Sequence, residues 1–331
     1  MRTVYLGRTG VEVSELCFGT MSFGGDADEV ESGRLYTACR DAGITFFDCA
    51  NIYAGGRSEE ILGRLIAGHR DEIVLTTKLG HDARPGPNGK GASRRHAMAE
   101  IDTSLKRLGT DHVDVLFLHK FDPRTPLEEQ LRTMEDILRS GKALYLGASN
   151  FAAWQYAKAL GIAEREGWQR IDVIQPMYSL VKRQAEVEIL PLAEAEGLAV
   201  TNYSPIGAGL LSGKYAAQTR PDQGRLVSGN YYGVRYGQDW MYQTADAFTA
   251  LAAELETHPV SLAIAWTAAH PAITTPILGA RNVSQLQPAL ASVEVKLTQE
   301  LYERIAQLSP TPAPPTDRLE EQAGPPKIVR E

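Results

Sequence analysis

Short apolar runs and longer stretches of helix-spaced apolar positions follow one another down this chain. The runs, bounded by turn residues, predict strands near 16–19, 44–48, 72–78, 113–118, 143–148, 171–175, 198–203 and 273–277. Apolar residues three and four apart predict helices near 29–41, 58–67, 94–108, 127–139, 151–166, 183–196 and 282–292. Strand and helix so alternate through eight units, which calls for a parallel sheet. Eight such units close best as a (β/α)8 TIM barrel, an α/β fold. An open doubly wound sheet is the alternative. It wants a Gly-rich phosphate turn after its first strand, and Gly19-Thr-Met-Ser-Phe-Gly24-Gly25 is not GxGxxG. Ahead of the units, Thr3–Leu6 and Val11–Val13 flank Gly7-Arg-Thr-Gly10, the mark of a β-hairpin.

Three stretches break the alternation. Residues 81–92 form a Gly/Pro loop directly after Lys78, and 207–242 a long loop after the seventh strand, aromatic and Gly-rich over 228–240. Loops that follow strands open onto the catalytic face of such a barrel, so both should rim a pocket. The third is a tail from Ser309, where six of the eighteen prolines fall between Pro310 and Pro326. One barrel domain over 1–308 and a Pro-rich tail over 309–331 is the expected organisation.

With 43% hydrophobic residues, the 331-residue chain can bury a sizeable core. A net charge of −7 argues against nucleic acid or an anionic membrane as partner. Cys17, Cys39 and Cys49 show neither CxxC nor zinc spacing and read as reduced thiols, Cys49 as a small core residue. The N-terminus lacks a signal-peptide pattern and no window reaches the apolar length of a membrane span, so a cytoplasmic protein without metal is expected.

The stretch Ile44–Glu60 carries the first candidate chemistry. Its strand ends on Asp48, and Tyr53 follows in the loop. The next two strands end on Lys78 and His119, so carboxylate, phenol, ammonium and imidazole meet at one edge. Such a set suits carbonyl reduction, where charge builds on the carbonyl oxygen and a proton donor is needed. Tyr53 would be the general acid, its pKa lowered by Lys78; Asp48 would hold Lys78, and His119 would orient the carbonyl.

No side chain is a hydride source, so a cofactor is required. Candidate contacts lie in the C-terminal half. Gly147-Ala-Ser149-Asn150 closes the fifth strand, Gln175 ends the sixth, and Tyr203-Ser204-Pro205-Ile206-Gly207 ends the seventh with a flat ring. Gly209-Leu210-Leu211-Ser212-Gly213-Lys214 offers flexible backbone and a cation to a pyrophosphate, and Arg281 stands at the start of the last helix.

Nearly the whole chain resembles the aldo-keto reductase superfamily. The likeness rests on the hairpin, FDCANIY against the usual FDTAxxY, the strand ending at Lys78, LHKFD at His119, GKALYLGASNF, Gln175, YSPIGAGLLSGKY and ILGARN. The loop after the seventh strand is most similar to the bacterial and potassium-channel β-subunit branches. The resemblance implies the tetrad Asp48, Tyr53, Lys78 and His119, with NADPH as cofactor. It further implies Ser149, Asn150 and Gln175 on the carboxamide and Tyr203 stacked on the nicotinamide. Ser204, Leu210, Ser212 and Lys214 would meet the pyrophosphate, and Arg281, Gln285 and Arg225 the adenosine end. Thr20, Met21, Asp48, Pro205, Ile206, Gly207 and Gly279 complete the implied cofactor set. Pro288 and Ala289 stand where the family often has Glu-Asn, so adenine recognition departs from that pattern.

The sequence reading is therefore an NADP-dependent oxidoreductase reducing a small aldehyde or ketone, with an oligomer permitted. Two alternatives stay open: an NADPH-sensing regulatory subunit with little turnover, and a Schiff-base aldolase using Lys78.

Overall fold

The structure, a computed structural model, describes residues 1–217, 224–228, 230–322 and 324–328. Strands β1 (Thr3–Tyr5) and β2 (Glu12–Ser14) form an antiparallel hairpin. Eight parallel strands follow: β3 (Cys17–Gly19), β4 (Phe46–Asp48), β5 (Val74–Leu79), β6 (Val113–Leu118), β7 (Ala143–Ser149), β8 (Ile171–Gln175), β9 (Ala199–Val200) and β10 (Ile277–Leu278). They lie in chain order with β10 beside β3. The two outer strands are joined by hydrogen bonds from Thr274 N to Val200 O at 3.0 Å and from Ile277 N to Asn202 O at 2.9 Å. These close the sheet into the expected (β/α)8 barrel.

Helices α1 (Glu29–Asp41), α2 (Arg57–Ile66), α3 (Arg94–Leu108), α4 (Leu127–Arg139), α5 (Ala153–Glu166) and α6 (Ile189–Glu196) cover the first strands. After β9 come α7 (Arg225–Ser228), α8 (Asn230–Tyr236), α9 (Asp239–Glu254) and α10 (Pro259–Ala269). Helices α11 (Val283–Leu290) and α12 (Gln299–Ala306) follow β10. Gly63 lets α2 and α3 touch, since a Cβ there would lie 2.6 Å from Leu108 O.

Two apolar layers hold the fold. Inside the barrel, Cys17, Phe46, Val115, Phe117, Val173, Ala199 and Ile277 pack against Leu6 and Val13 of the hairpin region, which caps the strands' N-terminal end. Tyr145 from the barrel wall donates to Thr9 O at 3.2 Å, fastening that cap. The larger layer lies between strands and helices and includes Phe47, Cys49, Leu75 and Leu116. Side chains alternate along a strand, so these two sets fix what comes next. Residues two or four beyond an inward one point inward at the open end: Asp48 beyond Phe46, Lys78 beyond Val74, His119 beyond Phe117, Gln175 beyond Val173 and Tyr203 beyond Ala199.

Several expectations need correction. The last strand, expected over 273–277, is regular only at Ile277–Leu278, because Pro276 lacks the N–H a ladder needs. Pro276 O still accepts from Cys17 N at 3.1 Å, and Thr274 N still donates to Val200 O. The seventh, expected over 198–203, is regular only at Ala199–Val200, although Thr201 N still donates to Ile174 O at 3.0 Å. The helix expected over 183–196 is a 3-10 turn at Gln184–Glu186 and then α6, whose Pro191 is tolerated because it falls in the first turn. The 207–242 segment is largely helical where described; residues 218–223 and 229 lie outside the described residues. Tail residue Ile328 donates its N–H to Gln299 Oε1 at 3.0 Å, laying that part of the tail along α12.

Candidate active site

Register brings the first four groups together. Asp48 pairs with Thr76 on the adjacent strand, and Lys78 stands two residues further along the same face. Lys78 Nζ donates to Asp48 Oδ2 at 2.6 Å, to Cys49 O at 2.7 Å and to the Tyr53 hydroxyl at 3.2 Å. The ammonium thus spends all three protons. Asp48 Oδ1 accepts from Thr76 Oγ1 and from Gln175 Nε2, both at 2.9 Å. The His119 and Tyr53 rings meet nearly at right angles, with centroids 6.0 Å apart. Its Nδ1 is buried and finds no partner among the described residues.

Tyr53 reaches this position through a tight turn. Ala54 and Gly55 adopt φ of 48° and 66°, and Gly56 at 98° opens α2. A left-handed alanine is strained, which marks the turn as one the surrounding packing enforces.

Electrostatics assigns protonation states. Burial pushes the Tyr53 phenol up, and Lys78 pulls it down by less, leaving it at about 12. The expectation that Lys78 would lower this pKa is therefore corrected in the net: desolvation of the phenolate outweighs the neighbouring ammonium. Burial pulls Lys78 down, but Asp48 and Tyr53 together more than offset this and its pKa rises above the usual lysine value. Such a lysine is an ammonium at neutral pH, a poor starting state for Schiff-base chemistry. Burial, followed by Lys78, His81 and Lys120, drives His119 well below the usual histidine range, so its imidazole is neutral. Burial raises the Cys49 thiol to about 12, in keeping with a core residue.

The predicted cofactor residues divide into two groups. Ser149, Asn150, Gln175 and Tyr203 form one connected run with Asp48. Tyr203 donates to Asn150 Oδ1 at 2.7 Å, Asn150 Nδ2 to Ser149 Oγ at 3.0 Å, and Ser149 Oγ to Gln175 O at 2.8 Å. Thr20 joins them by donating to Asp48 O at 3.1 Å. Asn150 and Ser204 both take positive φ, 57° and 58°, another pair of strained positions. Met21 is exposed and Gly279 lies open at the end of β10.

The second group lies further out. Pro205, Ile206 and Gly207 lead into a 3-10 segment, Gly207–Ser212, in which Gly207 and Gly209 need their φ of 59° and 99°. A Cβ on Gly207 would meet Val181 at 2.9 Å. Leu210 is wholly buried, backbone included, so the pyrophosphate contact expected of it is not open in this structure. Ser212 is partly buried and Lys214 exposed. Arg281 N donates to Gln285 Oε1 at 3.2 Å at the start of α11. Arg225 on α7 is partly buried beside Tyr232.

The sequence reading missed Thr76, His81 and Glu31. Thr76 was findable, standing two residues before Lys78 on the same strand face. The His81 ring packs edge-on against His119, centroids 5.3 Å apart. Glu31 of α1 accepts from Val283 N at 3.0 Å, capping α11 across 252 residues of chain, and no local signal announces it.

This arrangement has known counterparts. Residues 15–310 match the model of the Aldo/keto reductase family. The chain is 37% identical over 327 residues to "Uncharacterized oxidoreductase YrpG" of Bacillus subtilis, covering 94% of this chain and 97% of that protein. It is 38% identical over 309 residues to "Probable voltage-gated potassium channel subunit beta" of Oryza sativa subsp. japonica, with 91% and 94% covered. With L-glyceraldehyde 3-phosphate reductase of Escherichia coli it shares 32% identity over 300 residues, 87% and 86% covered. A barrel with Asp48, Tyr53, Lys78 and His119 gathered at one end, matched over nearly its full length, belongs to the aldo/keto reductase family.

Proposed function

We propose that this chain reduces an aldehyde or ketone to the alcohol with NADPH, Tyr53 giving the proton. The observation that carries the reading is the 3.2 Å hydrogen bond from Lys78 Nζ to the Tyr53 hydroxyl, backed by Asp48. A phenol held near 12 keeps its proton at neutral pH until charge grows on a neighbouring oxygen. When the proton leaves, the phenolate is met by an ammonium already in contact. Asp48 keeps that ammonium in place and charged. The neutral His119 is suited to hydrogen-bond the carbonyl oxygen without competing for Tyr53's role.

The run Ser149, Asn150, Gln175 and Tyr203 fits a nicotinamide carboxamide and ring: polar groups are preset beside a flat phenol. The glycine-rich Gly207–Gly213 backbone with Ser204, Ser212 and Lys214 fits a pyrophosphate, and Arg281, Gln285 and Arg225 fit the adenosine end. A reduced dinucleotide bound there supplies the hydride that no side chain can. The cations Lys214, Arg225 and Arg281 favour the 2′-phosphorylated form. The name of the Escherichia coli relative supports a small carbonyl compound as substrate.

The test follows NADPH oxidation at a single wavelength across aldehydes, ketones and sugars. Turnover of at least one carbonyl, first order in enzyme, is expected. Tight NADPH binding with no turnover of any would instead favour the regulatory-subunit reading that the rice relative's name supports.

A further inference from the structure

The turn that carries Tyr53 and the loop that follows Lys78 are tied to one side chain, Glu100, on the outer helix α3. Glu100 is 1% exposed. Its Oε2 accepts from Asn51 Nδ2 at 2.6 Å, and its Oε1 lies 2.5 Å from Arg84 Nε. Asn51 stands two residues before Tyr53. Its backbone is held on both sides, N donating to Lys78 O at 3.3 Å and O accepting from Arg107 Nη1 at 3.2 Å. Arg84 belongs to the 81–92 loop, which folds back on itself through Gly89 O, acceptor for Ala83 N at 3.1 Å and Arg84 N at 3.0 Å.

A second strand of contacts leads the same way. His96 Nδ1 lies 4.0 Å from Glu100 Oε1, and His96 Nε2 donates to His81 O at 3.4 Å. His81 is the residue whose ring packs against His119. One buried carboxylate outside the barrel therefore reaches the Tyr53 turn with one oxygen and the loop backing His119 with the other. The proton transfer itself makes no use of it.

We propose that Glu100 is a positioning residue that couples the seating of the 81–92 loop to the orientation of Tyr53. Oε2 accepts from Asn51, while Oε1, which accepts no aligned hydrogen bond among the described residues, faces the Arg84 guanidinium as an ion pair, so one carboxylate can hold the two segments at once. Without Arg84, the Oε1 side loses its cation and the grip on Asn51 slackens. The kinetic consequence rests on the reductase reading; the structural coupling does not.

Arg84→Ala separates the possibilities, because the polar contacts of Arg84 run to Glu100, Ala99 O and Thr103 on α3 and none of them to the Asn51–Gly55 turn whose amides are read. Hydrogen exchange on the full chain reads the coupling directly. About tenfold faster exchange of the Asn51–Gly55 amides is expected in Arg84→Ala, with Arg84→Lys restoring most of the protection. Faster exchange confined to the 81–92 loop overturns the proposal. In parallel, Glu100→Gln should lower kcat about tenfold while NADPH affinity, measured by fluorescence quenching, stays unchanged. Unaltered kcat also overturns it. A native chain that turns over no carbonyl sinks the reductase reading instead, and the exchange result then decides the coupling alone.

Discussion

Lys78 Nζ lies 2.6 Å from Asp48 Oδ2, with neither side chain open to solvent. Removing one member of a buried pair leaves the other charge uncompensated. Lys78→Met should therefore cost about 3 kcal/mol in urea unfolding, and the Lys78→Met, Asp48→Asn double variant less than the single. A single variant as stable as the parent would mean the pair is not buried.

The pH dependence of reduction follows from Tyr53 and His119. With the phenol at about 12 and the imidazole neutral well below its usual range, neither changes state near neutrality. For the carbonyl substrate, kcat/KM should stay flat from about pH 6 to about pH 9 and fall only in strong alkali. A midpoint inside that range would show that Lys78 outweighs burial after all.

Stability should respond to acid through a different histidine. Burial pushes His270 down to about 4. The unfolded imidazole takes its proton near the ordinary value, about 6.5. Between those limits the unfolded chain binds more protons, so stability falls as pH drops. The full loss from this group is on the order of 3 kcal/mol. His270→Gln should flatten the decline between pH 7 and pH 5 in urea unfolding, leaving the His119 share; an unchanged slope would contradict this.

Arg281 at the start of α11 bears on cofactor choice. Arg281→Ala should weaken NADPH about tenfold and NADH much less, read by fluorescence titration. Equal weakening of both would move 2′-phosphate recognition to other residues.

How far the sequence spoke depended on whether the signal was local. Asp48, Lys78, His119, Gln175 and Tyr203 were legible because each lies at or within a few residues of the end of a strand whose alternation fixes its direction. Helix α10 was not, since it is apolar on every face and shows no period. The net rise in Tyr53's pKa was hidden for another reason. It depends on how completely the folded chain shuts out water, which strand order does not reveal. Glu100 was equally invisible: it sits 49 residues from Asn51, and only the docking of α3 joins them.

The most direct measurement compares the native chain with Tyr53→Phe in two assays, NADPH binding by fluorescence quenching and NADPH oxidation with the best carbonyl of the panel. A phenyl ring keeps the shape and loses only the proton donor. Binding should be unchanged and turnover should fall at least about a hundredfold. Full turnover in Tyr53→Phe would contradict the assignment of Tyr53 as the acid and with it the proposed mechanism.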